Sequence, residues 1–355
     1  MLCLGIETSC DETSLALVRD HELLGQNTFS QVDIHGVFGG VVPEMACREH
    51  LNKLSPLYQN LLARSGVRDT DIQAVAVTRG PGLLGCLLVG LGFAKGLALG
   101  LDVPLVGVNH LHAHLMAPGL EKDILFPALG LLVSGGHTNI YLINSPFEFK
   151  LLGRTLDDAA GEAFDKAAKC LNIPYPGGIH MDRFAAFAQP DINMFPRPYL
   201  DNTNVDFSFS GIKTAMVYHV RDNPDLVIKD RASVDEHYIP CARLAEVCSS
   251  FNWSIASALK IKLKRALSRN RVRSVILAGG VAANTMIRQE VRALAEEYNA
   301  VPVIPELSLC TDNAAMVAWY GEQLIKAGCT HALDLEAIPR GKPIPMDYLK
   351  QNTSQ

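Results

Sequence analysis

Two stretches lying 125 positions apart constrain this chain more than anything else in it. The first, Leu4-Gly5-Ile6-Glu7-Thr8-Ser9-Cys10-Asp11-Glu12-Thr13-Ser14-Leu15-Ala16-Leu17-Val18, is a pair of apolar runs flanking a cluster of turn formers. That pattern reads as strand, polar turn, strand. Without any gap it recurs from Leu129 to Ile143, and leucine, glycine, serine, threonine and leucine coincide at 4/129, 5/130, 9/134, 13/138 and 17/142. The polar turn falls at the same place in both copies, so the chain is expected to consist of two related halves, each opening on a hairpin.

Within each half, strands then alternate with helices. Ala74-Val75-Ala76-Val77-Thr78 runs into Arg79-Gly80-Pro81-Gly82 before a helix, and Ser274-Val275-Ile276-Leu277-Ala278 runs into Gly279-Gly280 before another. Such steps build an α/β fold with a mixed, mostly parallel sheet covered by helices. With 355 residues, 48% hydrophobic, there is material for two sizeable cores. The first half is expected over 1–127, completed by a helix near 312–328, and the second over 128–311. A proline- and aromatic-rich insertion is placed near 174–240, and a loosely packed surface tail at 329–355. The apolar window Leu83–Leu101 is long enough for a membrane span. It carries Lys95 near its centre and five glycines, and is read instead as a helix packed by its small residues against a sheet.

Composition removes several classes. Nine cysteines, odd in number and without a C-x-x-C pair, argue against a disulfide framework or a zinc knuckle and for a reducing compartment. A net charge of -5 offers no global attraction to nucleic acid, so a polyanion would have to meet a local basic patch. The strongest such patch is Lys260, Lys262, Lys264, Arg265, Arg269, Arg271 and Arg273, although the interleaved leucines also read as a helix with a solvated basic face. Neither a signal peptide nor a transit peptide is recognisable at the start.

Chemistry concentrates at Asn109-His110-Leu111-His112-Ala113-His114. On a helix, His110 and His114 lie one turn apart on one face, which is metal-ligand spacing, and a third ligand is sought in Asp312 of Cys310-Thr311-Asp312-Asn313. The competing reading is a set of polar residues at a helix start. Ser134-Gly135-Gly136 is a turn whose backbone N–H groups can converge on a phosphate, unless it is simply a hairpin turn. Gly279-Gly280 admits a flat base or ribose beside Asn284, and Asp165 and Asp182 are carboxylates suited to ribose hydroxyls or to a solvated helix face.

Taken together, these motifs resemble the TsaD (Kae/Qri/Gcp) family, which makes threonylcarbamoyladenosine in tRNA on an actin-like (sugar kinase/Hsp70) ATPase fold. The resemblance runs nearly end to end, through Gly80-Pro81-Gly82, Gly161-Glu162-Ala163-Phe164-Asp165-Lys166, Tyr175-Pro176-Gly177-Gly178 and Phe207-Ser208-Phe209-Ser210-Gly211 as well as the segments above. It implies that His110, His114 and Asp312 bind one iron(II), with zinc an alternative, and that His112 is a neighbour of the site. Leu132, Val133, Ser134, Gly135, Gly136, Asp165, Gly178, Asp182 and Asn284 would bind threonylcarbamoyl-AMP. The implied reaction transfers the threonylcarbamoyl group to N6 of the adenosine 3′ of the anticodon, in tRNAs reading codons that begin with A. Asp11 or Glu12 is a candidate proton acceptor. A TsaB-like paralogue, joined through the first domain, and a TsaE-like P-loop ATPase are the implied partners, in the cytoplasm and without a membrane. Ile179 and His180 depart from the family pattern at the edge of the donor pocket. Two other readings are a nucleotide-gated interaction protein and a metallopeptidase. The second lacks the glutamate of H-E-x-x-H.

Overall fold

The computed structural model describes residues 1–350 apart from 37, 39 and 198; the last five residues of the expected tail lie outside the described residues. In chain order, the first hairpin is β1 (Leu2–Glu7) and β2 (Glu12–Arg19), followed by β3 (Glu22–Ser30), α1 (Val32–Gly36) and α2 (Pro43–Ser65). Next come β4 (Ala74–Gly80), α3 (Leu84–Leu101), β5 (Leu105–Asn109) and α4 (His110–Met116). The second hairpin is β6 (Ala128–Val133) and β7 (Thr138–Ser145), then β8 (Glu148–Arg154), α5 (Ala160–Cys170), α6 (Gly177–Ala185), α7 (Ser210–Asp222) and α8 (Ala242–Leu267). After these follow β9 (Ser274–Ala278), α9 (Thr285–Glu297), β10 (Val301–Val303), α10 (Ala314–Lys326) and the short pair β11 (Cys329–Thr330) and β12 (Leu349–Lys350). The chain divides into two compact units, Met1–Asp123 with Thr311–Gln355, and Ile124–Cys310.

Each unit carries a five-stranded mixed sheet, in the orders β3-β2-β1-β4-β5 and β10-β9-β6-β7-β8. Read from the outer hairpin strand inward, the two orders are the same. The match extends to register: Leu4 faces Leu17 and Ile6 faces Leu15 in one hairpin, while Leu129 faces Leu142 and Leu131 faces Ile140 in the other. Every one of these positions is shifted by the 125 residues read from the sequence. The parallel neighbours repeat as well, Ile6 beside Val77 and Leu131 beside Leu277. Both hairpin strands beside each sheet's centre are almost fully apolar and buried, as a sheet covered on both faces requires.

The first core gathers Leu4, Ile6, Leu15, Leu17, Leu54, Val75 and Leu91. Gly5 is forced by the approach of α10: a Cβ there would lie 2.4 Å from both Ala314 O and Ala318 N. The stretch read as an insertion is integral to the second core, to which it gives Phe184, Phe207, Phe209 and Met216 alongside Phe164 and Phe251.

Three features differ from expectation. In α3 only some glycines serve packing: Gly90 abuts Thr8 and Gly85 abuts Cys47, whereas Gly92, Gly96 and Gly100 face open space. This helix is the one among the described residues long and apolar enough to cross a membrane, but it lies against β4 and α2. The segment after α10 is not loose. Ile338 N donates to Arg79 O, His331 N to Leu105 O, and the buried Arg79 guanidinium pairs with Asp347. Finally, the basic strip on α8 is largely spent inside the second unit. Lys260 and Lys264 pair with Glu290 and Glu297 of α9, and Lys262, Arg265 and Arg269 donate to carbonyl and amide oxygens of residues 200–204.

Candidate functional site

α4 starts at His110 because Asn109 caps it, its side-chain oxygen accepting from Leu111 N (3.0 Å) and His112 N (3.4 Å). One helical turn apart, the His110 and His114 rings stand edge to face with centroids 4.6 Å apart. Asp312, two residues ahead of α10, places Oδ1 2.9 Å from His114 Nε2 and 3.6 Å from His110 Nε2. One ligand atom from each of the three residues lies within 4.8 Å of the others, and all three belong to the first unit. Bonds of about 2.0–2.2 Å to a divalent cation would separate neighbouring donors by roughly 3–3.6 Å, which the two histidine–aspartate distances match.

A residue that sequence reasoning missed completes this centre. Glu7, fully buried at the end of β1, accepts from Ser9 N (2.6 Å), from Thr78 Oγ1 (2.6 Å) and from His110 Nδ1 (3.0 Å). Its only trace in the sequence is a lone acid closing an apolar strand. His114 Nδ1, by contrast, is buried without a hydrogen-bond partner among the described residues. Burial alone would depress the His110 imidazolium, but the Glu7 and Asp312 carboxylates outweigh it and push its pKa up to about 9. Burial opposes ionisation of Glu7 too, yet the His110 cation beside it holds this carboxyl below its ordinary value. Burial pushes His112 down to about 3, which keeps that ring neutral. Glu12 is raised well above the usual carboxylate range, first by burial and then by Asp312 and Asp11.

In the second unit, Leu132 and Val133 close β6 and Ser134-Gly135-Gly136 forms the turn. Ser134 Oγ accepts from Gly136 N (3.4 Å) and His137 N (3.1 Å), and Ser134 N donates to His137 O (2.8 Å), so two of the three amides expected to face a ligand, those of Ser134 and Gly136, already have an internal acceptor. Gly161 N donates to Ser134 O (3.2 Å), and a Cβ on Gly161 would come within 2.8 Å of Gly135 Cα; α5 therefore begins in contact with the turn. Asp165 Oδ1 accepts from Gly177 N (2.8 Å), just ahead of Gly178 in the first turn of α6. Asp182 and Asn284 are brought together through Asn252, which donates to Asp182 Oδ1 (3.0 Å) and accepts from Asn284 Nδ2 (2.9 Å). Asp182 Oδ2 also accepts from Thr285 N and Oγ1, while Asn284 caps α9 by accepting from Ile287 N. The helix after Gly279-Gly280 thus starts only at Thr285, beyond a short 3-10 turn. Both polar functions of Asn284 hold the fold, a use that its position in a strand-glycine-helix step did not reveal. His180, the departure noted at the pocket edge, is half-buried on α6, and burial lowers its pKa.

Comparison with known proteins bears directly on this arrangement. Residues 22–319 match the family model of TsaD, tRNA N6-adenosine threonylcarbamoyltransferase. The tRNA N6-adenosine threonylcarbamoyltransferase of Nitratidesulfovibrio vulgaris (strain DP4) is 57% identical over 354 residues, 98% of each chain. That of Maridesulfovibrio salexigens is 54% identical over 98% of this chain and 99% of its own. Among solved structures, the activator of the 2-hydroxyisocaproyl-CoA dehydratase from Clostridium difficile, with bound ADPNP, aligns at TM-score 0.52 and 16% identity. It covers 94% of this chain and 100% of its own. HypF from T. kodakarensis aligns at TM-score 0.56 and 15% identity, over 92% of this chain and 48% of its own. Those two likenesses speak for the fold alone, the actin-like α/β architecture already visible in the repeated sheet order. Nothing in the comparisons favours a metallopeptidase or a nucleotide-gated interaction protein. This chain belongs to the TsaD family of tRNA N6-adenosine threonylcarbamoyltransferases, enzymes that transfer a threonylcarbamoyl group to N6 of an adenosine in tRNA.

Proposed function

We propose that the transfer draws on threonylcarbamoyl-AMP, releases AMP, and modifies the adenosine immediately 3′ of the anticodon (position 37) in tRNAs that read codons beginning with A. One observation carries this reading: two imidazoles and a carboxylate from distant parts of the sequence converge in the first unit with the spacing a divalent cation needs. In this reading His110, His114 and Asp312 hold one iron(II), which when bound supplies a Lewis acid and template for the threonylcarbamoyl oxygens. Zinc satisfies the same donors.

The chain's own residues do the rest. Glu7 and Asp312 keep the His110 ring in place, while Asn109 and the first turn of α4 set the spacing to His114. In the second unit, Leu132, Val133, Ser134, Gly135 and Gly136 with Asp165, Gly178, Asp182 and Asn284 are the proposed donor-binding set. Of these, Gly135 is bare toward open space, as an approaching phosphate would require. Asp11, in the turn after β1, or Glu12, the first residue of β2, is proposed to accept the proton of the adenosine amine as the new bond forms.

A TsaB-like paralogue is placed on the first unit. This is supported by the apolar groove lined by Leu51, Leu54, Leu88, Val89, Gly92 and Phe93 between α2 and α3, where Leu51 and Leu88 are 70% and 54% exposed. A TsaE-like P-loop ATPase and a cytoplasmic location complete the proposal. The test incubates purified protein, loaded anaerobically with iron(II), with threonylcarbamoyl-AMP and unmodified tRNA, and assays nucleosides by mass spectrometry. Threonylcarbamoyladenosine at position 37 is expected; free AMP without modified nucleoside would refute the reading.

A further inference from the structure

We infer that Glu7 is the positioning residue of the transfer site, fixing the His110 ring and the Ser9 turn together through one buried carboxylate. The inference rests on the metal reading above and deepens it. A carboxylate removed from water costs several kcal/mol unless hydrogen bonds replace its hydration. Glu7 has three such bonds, and they divide by oxygen: Oε1 takes the Ser9 amide, while Oε2 takes the Thr78 hydroxyl and His110 Nδ1.

The fold does not require this charge. At the register-equivalent place in the second unit, where Leu132 faces Asn139 as Glu7 faces Ser14, the side chain is a buried leucine. The counterpart of Thr78 on the neighbouring parallel strand is Ala278, and that hairpin and strand pack without either polar group. Acid and hydroxyl are thus both additions peculiar to the unit that carries His110. What they achieve there is orientation. In the neutral ring that a metal ligand must be, an Nδ1 proton given to Glu7 leaves the Nε2 lone pair on the side of Asp312, 3.6 Å away. Ser9 Oγ lies 3.3 Å from the same Nδ1, so the turn and the ring share one carboxylate and touch each other. His114, whose Nδ1 has no such brace among the described residues, relies on its helix and on Asp312 for its direction.

The experiment compares the full-length wild type with Glu7→Gln, Glu7→Asp and the pair Glu7→Leu with Thr78→Ala, which copies the second unit. Two readouts are taken on metal-free protein and one on titration with Zn2+. Long-range 1H–15N correlation, recorded above the raised His110 pKa so that the ring is neutral, should show His110 protonated at Nδ1 in the wild type, and a change of tautomer or a ring exchanging between tautomers in Glu7→Gln. Thermal melting reports any merely structural loss. Calorimetric titration should show affinity for Zn2+ falling 10- to 100-fold in Glu7→Gln, with partial recovery in Glu7→Asp. If Glu7→Gln fails to fold, the Leu/Ala pair carries the same measurements. A variant that keeps the wild-type tautomer and binds Zn2+ within twofold of wild type overturns the inference. Wild-type protein that binds no Zn2+ and behaves like His114→Ala would instead overturn the metal reading, and the tautomer measurement would still decide the role of Glu7.

Discussion

The two hairpins share their register residue for residue and differ in what they bury. The first ends its central strand on Glu7 and continues into Thr8, Ser9, Cys10 and Asp11; the second has Leu132 at the matching position, ends one residue later on Val133, and continues into Ser134, Gly135 and Gly136. One copy has put a carboxylate and polar side chains where the other kept apolar cover and added glycines. A duplicated scaffold can therefore hold two different chemistries at one topological position: side chains that grip an imidazole in the first unit, exposed backbone in the second. The sheet tolerates the exchange of Glu7 for Leu132 because it sits near a strand end, where the side chain is fully buried but, in the first copy, hydrogen-bonding partners from the following turn are close.

This contrast can be broken outright by moving the charge without its partners. Leu132→Glu places a carboxylate beside Ala278 with no imidazole to receive it, and should destabilise the second unit by about 3–5 kcal/mol, read as a collapse of the urea midpoint. Asp312→Ala tests what the first copy is for. It should leave the fold intact, remove bound iron from anaerobically purified protein, and lower single-turnover transfer by at least about 100-fold, roughly 2.7 kcal/mol of barrier. On the second unit, Asp182→Ala strands Asn252 and the Thr285 amide, and about 1–3 kcal/mol should be lost in denaturant titration. If Asp182 also binds the donor, transfer by the surviving folded protein falls further, which separates the two roles. The smallest effect sharpens the reading of α3. Gly96→Ala, with open space around it, should gain up to about 1 kcal/mol, whereas Gly90→Ala, whose Cβ would sit 2.2 Å from Thr8 Oγ1, should lose stability.

Much of this could be read from the residues, for reasons that are physical. The hairpins were legible because strand, turn and strand are local and the repeat has no gap. His110 and His114 were legible as one helix face because four residues make about one turn. Glu7 was not, since its partners lie 71 and 103 positions away and an acid at a strand end signals nothing by itself. The α8 lysines and arginines misled for a related reason: periodicity says which face they occupy but not that α9 and residues 200–204 cover it. The last segment looked loose because it is held by backbone bonds to Arg79, Gly82 and Leu105 and by one buried guanidinium, none of which leaves a pattern of its own.

One arrangement described above matters before any substrate is met. The first unit is interrupted: α10, whose backbone presses onto Gly5 of β1, follows the whole of Ile124–Cys310 in the chain. On a ribosome adding roughly 5–20 residues each second, the N-terminal sheet must wait on the order of 10–40 s with one apolar face uncovered while the intervening unit emerges and folds. During that interval the nascent chain carries an exposed apolar sheet face, the kind of surface whose tendency to aggregate chaperones exist to restrain.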